Sequence, residues 1–195
     1  MNKSPNCLKV ILNGYNPASV LSTVSHYDKV FKTLTEQNDI IYNEFFNYVR
    51  QKNLPLKMIL TGCITNALDY LLTTANPFIQ EQSNPYFVKV VFNGIAPKNE
   101  ISGRNSVEFI VPTLCSTYAR QINNVTYAQQ WPVTVQYTQL PKSNKNIGVE
   151  LNDYSIFTTP INIQIQQSTG AVVEHDTYGG YAPNFTVEFW LFVDE

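Results

Sequence analysis

The chain has 195 residues, enough for one domain with a substantial core; 44% are hydrophobic, but only 14% are charged. Ordinary soluble proteins carry roughly 25% charged residues, so this surface is built largely from Asn, Gln, Ser, Thr and 12 Tyr. A net charge of −2 with 13 scattered Lys and Arg forms no basic patch and argues against nucleic acid as a partner. Cys7, Cys63 and Cys115 lack CxxC spacing and read as reduced structural thiols. Residues 1–6 contain no apolar signal core, and the densest apolar run, 189–193, is too short to span a bilayer, so no membrane is expected.

Residues 8–12 read as a strand, Asn13-Gly14 as a turn, and 19–24 as the returning strand of an N-terminal hairpin. From 25 to 52 the spacing predicts one long helix. Tyr27, Phe31, Leu34, Ile41, Phe45 and Tyr48 recur in steps of four and three, with Asn38 at the one polar place in that register. Ser25 and Asp28 match a capping box, Arg50 and Lys52 suit the negative end of the dipole, and Pro55 stops the helix. The seam fits a helix lying on a sheet, or an intermolecular coiled coil in which Asn38 sets the register.

Residues 56–61 alternate like a short strand, and 63–74, with Ala67, Leu68, Leu71 and Leu72, like a second, shorter helix ended by Asn76-Pro77. From 84 onward the period becomes two. Strands are predicted at 87–93, 107–111, 117–122, 133–138, 147–151, 161–166, 171–174 and 185–193. The fold expected is α+β: an antiparallel β-sandwich, jelly-roll-like, with one long and one short helix. It forms a single domain over 1–195, divided into an N-terminal hairpin (1–24), a helical insertion (25–83) and the sandwich (84–195).

No catalytic signature emerges. HExxH, GxGxxG, GxxxxGK and GxSxG are missing, and His26 and His175 are far apart in sequence. Glu174-His175-Asp176, with Cys115 or Ser116 as a notional nucleophile, fails because neighbouring strand residues point to opposite faces. The expectation is therefore a non-enzyme without metal or cofactor. Tyr178-Gly179-Gly180-Tyr181 reads as a turn, as an interface loop, or as aromatic surface for a sugar.

The strand Leu8-Lys9-Val10-Ile11-Leu12 is followed by Ser19-Val20-Leu21 and by Ser25-His26-Tyr27 running into Phe31-Lys32-Thr33-Leu34. Together with the closing strand, Phe185 through Val193, this order resembles the layout of cypovirus polyhedrins. The chain departs from that family in beginning at the first strand, without the N-terminal helix that ties neighbouring trimers together. The resemblance implies a viral structural protein that self-assembles in the host-cell cytoplasm. It would be the matrix of crystalline occlusion bodies around virus particles, dissolving at alkaline pH.

Its partners would be copies of itself, as a trimer or other homo-oligomer and a higher lattice, and virus particles. A virion component, whether capsid or vertex jelly roll or trimeric fibre, and a carbohydrate-binding module are the alternatives. Composition suits alkaline release, because Tyr and Lys titrate near pH ~10. Deprotonating all 12 Tyr and ten Lys lowers the formal charge by 22, from −2 to −24. Tyr15, Tyr154, Tyr178 and Tyr181, placed in turns or at strand ends, are the candidate switch residues.

Overall fold

The computed structural model describes residues 6–14, 24–37, 39–65, 68–71, 87–98, 105–112, 116–122, 125–131, 148–166, 170–172, 174–176 and 185–193. Most of them lie in antiparallel sheets. The first four-stranded sheet has the order β1-β13-β4-β10, from β1 (Cys7–Asn13), β4 (Leu56–Thr65), β10 (Val149–Glu150) and β13 (Phe185–Val193). The second has the order β3-β11-β6-β7, from β3 (Asp28–Phe31), β6 (Phe87–Asn93), β7 (Ser106–Pro112) and β11 (Ile161–Gln166). Smaller sheets join β2 (Val24–His26) to β12 (Glu174–Asp176), and β5 (Leu68–Leu71) and β8 (Ser116–Ile122) to β9 (Val125–Trp131).

Alternation along the strands determines which face is apolar. Leu8, Val10 and Leu12 on β1, and Phe185, Val187, Phe189, Leu191 and Val193 on β13, are all buried. Ile161, Ile163 and Ile165 on β11, with Val90 and Phe92 on β6, supply the other half of the core. The halves meet where Phe92 sits edge to face with Phe189 at 5.3 Å.

The closing strand, β6 and β11 keep their predicted bounds. The helical expectations for 25–52 and 63–74 do not. Residues 24–26 and 28–31 form β2 and β3, with Tyr27 at the bend between them, and α1 covers only Ile40–Gln51. Tyr27 and Phe31 are four apart, a spacing that shares a face in a strand as well as in a helix, so their periodicity misled. Ile165 and Ile161 of β11 stand opposite them, and this long-range pairing decided the outcome.

The reciprocal cap occurs at Thr33 and Glu36 rather than Ser25 and Asp28. The Glu36 amide donates to Thr33 Oγ1, and the Thr33 amide to Glu36 Oε2, both at 3.1 Å, around a 3-10 turn at Thr35–Gln37. Asp39 caps α1 by accepting from the Ile41 amide at 2.8 Å. Asn53, with φ 50°, ends it: its amide donates to Arg50 and that of Leu54 to Val49, a Schellman closure ahead of Pro55.

Likewise β4 runs on to Thr65 and β5 occupies Leu68–Leu71, so the described residues of that segment are extended rather than helical. The Cys63↔Val187 and Thr65↔Phe185 pairings hold this stretch in the sheet. Among the described residues two short helices stand where one long and one short helix were expected. The second, α2 (Ser155–Thr158), buries Ile156 and Phe157, and Phe157 stacks on Phe46 of α1 at 5.0 Å. β1 takes β13 as its neighbour and Val24 belongs to β2, while the rest of the predicted returning strand, 19–23, lies outside the described residues. β9 was not foreseen, and the predicted strand at 133–138 lies outside the described residues.

Candidate functional site

The outer face of the second sheet is the most organised polar surface. The sequence Ile161-Asn162-Ile163-Gln164-Ile165-Gln166 buries its isoleucines and turns its amides outward, level with Asp28 on β3 and Asn93 on β6. Asp28 is the hub: Asn162 Nδ2 donates to its Oδ1 at 2.9 Å and Gln164 Nε2 to its Oδ2 at 3.0 Å. Asn93 Nδ2 extends the chain to Asn162 Oδ1 at 2.7 Å, and Gln166 Nε2 to Gln164 Oε1 at 2.8 Å. Beyond them Lys89 and Glu108 pair at 3.4 Å. The result is a ladder of neutral amides holding one carboxylate, flanked by a charge pair that cancels.

The outer face of the first sheet is different. Glu188 accepts from Lys9 Nζ at 2.8 Å and from Thr61 Oγ1 at 3.0 Å. Partial burial pushes the Glu188 carboxyl up, but hydrogen bonds from Lys9, Thr61 and Trp190 and the Lys9 charge outweigh it and hold the carboxyl below its usual range. Ile11, 52% exposed, shares this face, with Trp190, Phe192 and Ile59 half-buried.

A cleft of about 360 Å³ lies at the end of α1, lined by Asn53, Leu54, Lys98, Glu150, Asn152 and Tyr154 among others. Lys98 and Glu150 are ion-paired across it. Among the described residues no three His, Cys, Asp or Glu side chains come together as a metal site. None of the helices among the described residues is long and apolar enough to cross a membrane.

Of the residues singled out by sequence, Tyr154 is described. It sits in the bend before α2, with its hydroxyl donating inward to the Leu54 carbonyl at 2.8 Å, and burial pushes its phenol up from the ordinary value. Tyr15, Tyr178, Tyr181 and Asn38 lie outside the described residues. α1 begins at Ile40, so no heptad runs from Tyr27 to Tyr48.

β12 carries Glu174, His175 and Asp176 at successive strand positions, and Ser116 opens β8. Sequence reasoning passed over the amide ladder, although the alternation of Asn and Gln with Ile was its visible signal. No family model, curated protein or solved structure matches the chain.

Proposed function

We propose that this protein is a self-assembling structural protein, the matrix of intracellular crystalline occlusion bodies that enclose virus particles and dissolve at alkaline pH. The observation that carries the reading is the hydrogen-bonded amide ladder Asn93–Asn162–Asp28–Gln164–Gln166. Such a face associates with little ionic desolvation, and its groups are preordered, so little side-chain entropy is lost when copies meet. A chain with 14% charged residues is suited to packing against itself.

In this reading the two facing sheets are the halves of a jelly-roll-like sandwich, and the protein works without catalysis. A virion component on the same sandwich is the second reading, favoured by the same pair of four-stranded sheets. A trimeric fibre loses its basis, because α1 spans 12 residues and buries Phe45 and Val49 in its own core.

The test is to express the chain alone in insect cells and image them. Micrometre-scale intracellular crystals that dissolve at alkaline pH support the matrix reading. Diffuse protein, or crystals that dissolve in mild acid instead, removes it.

A further inference from the structure

The cleft at the end of α1 takes no part in the amide ladder, and each residue that lines it is described. Its volume of about 360 Å³ falls in the range of small-molecule sites. Three pieces of chain build it: Asn53-Leu54-Pro55-Leu56 behind α1, Lys98, and the run from Glu150 to Tyr154 between β10 and α2. The Lys98 amide donates to the Glu150 carbonyl, the Asn152 amide to the Ala96 carbonyl and the Leu151 amide to the Leu56 carbonyl, all at 2.8 Å. These bonds fix the walls before any ligand arrives, so little order has to be gained on binding.

The side chains select the chemistry of an occupant. Asn53 and Asn152 are exposed, and among the described residues nothing bonds to their side-chain amides. Each presents donors and an acceptor side by side, the pattern that a hydroxyl answers. Asp153 Oδ1 accepts from the Ser155 amide at 2.7 Å, which leaves its other oxygen for a ligand. The Tyr154 hydroxyl is taken by the Leu54 carbonyl, so this residue contributes ring surface beside Leu54 and Pro55.

Charge narrows the class further. The lining sets one ammonium, Lys98, against two carboxylates, Glu150 and Asp153, and α1 turns the negative end of its dipole toward the cleft. Arg50 and Lys52, which could offset it, lie over the Phe46 and Tyr48 rings, 5.8 and 4.8 Å from the centroids, outside the lining. Anions are therefore disfavoured. A divalent cation finds no third carboxylate or imidazole among the described residues, and Glu150 already holds the Lys98 ammonium. An apolar molecule would take water from two unpaired amides without replacing its hydrogen bonds.

We infer that this cleft binds a neutral saccharide of one or two pyranose rings. Its hydroxyls pair with the Asn53 and Asn152 amides and with Asp153, while a C–H face of the sugar lies on Pro55 and the Tyr154 ring. The site goes beyond the self-assembly reading and does not depend on it.

The test is saturation-transfer NMR on the soluble full-length chain, with cellobiose, maltose, lactose and N,N′-diacetylchitobiose as probes and adenosine monophosphate as the anionic control. At least one disaccharide should bind with a millimolar Kd or tighter, and the nucleotide should not. Asn53→Gly removes one amide while suiting the left-handed backbone at φ 50°. Asn152→Ala removes the other and keeps the backbone bond to Ala96. Each should weaken binding about fivefold. Asn47→Ala, exposed on α1 and outside the cleft, should leave it unchanged. Circular dichroism checks that all three variants fold. The assignment is overturned by silence from all of these disaccharides at about 10 mM, by tighter binding of the nucleotide, by undiminished saccharide binding in both amide variants, or by an equal loss in Asn47→Ala.

Discussion

The Tyr154 hydroxyl donates to the Leu54 carbonyl at 2.8 Å, with the Val49 carbonyl at 3.4 Å, and so ties the bend before α2 to the C-terminal closure of α1. Tyr154→Phe leaves the Leu54 carbonyl without this donor and should cost about 1 kcal/mol in urea unfolding at neutral pH. The folded-state phenol is raised above its ordinary value by burial. The stability it contributes is therefore complete below the unfolded phenol value and is lost as pH rises through the folded one. Alkaline unfolding of wild type should be steeper than that of Tyr154→Phe; parallel curves would remove Tyr154 as an alkaline trigger.

Glu188 has the opposite sign. Its carboxyl is held down in the fold, so its contribution is present above the ordinary carboxylate range and lost as pH falls through the folded value. Glu188→Gln should flatten acid unfolding and cost less than about 1 kcal/mol at pH 7, since the Lys9 pair is partly exposed.

Phe189 is fully buried and meets Phe92 across the two sheets. Phe189→Ala removes the contact between them and should cost about 3–5 kcal/mol, measured as a lower urea midpoint. For a domain of ordinary stability, about 5–15 kcal/mol, that is a fifth of the total or more.

Cys63 is buried, and its thiol is pushed up to about 12 by burial. In a Cys115→Ser variant, a thiol-disulfide reagent should modify Cys7 in the native protein and Cys63 only after denaturant is added. Prompt modification of two thiols without denaturant would contradict the placement of Cys63 on the inner face of β4.

Asp39→Ala tests where the helix begins. Loss of the bond to the Ile41 amide should cost about 1 kcal/mol, while Ser25→Ala should cost no cap, since Ser25 lies in β2.

Strands with one clean apolar face were legible: the alternation in Phe185–Val193 and Ile161–Gln166 matches their burial residue by residue. Tyr27, Phe31 and Leu34 were not, because a spacing of four is even, and Leu34, though fully buried, lies in a turn. The sequence 63–71 misled for a related reason: its leucines fit a helix locally, while its β4 portion is held by β13, more than a hundred residues away. The ladder centred on Asp28 needed three strands brought side by side, a relationship that no window of sequence contains.

β1 pairs with β13 from Cys7↔Phe192 to Asn13↔Thr186, a separation of nearly the whole chain. A nascent polypeptide therefore cannot pair its first strand with β13 until the ribosome has released the stretch around residue 190, and the first sheet can only then be completed. Closure over so long a loop is slow, which places the formation of finished molecules late in synthesis. Copies still being translated thus lack the completed first sheet.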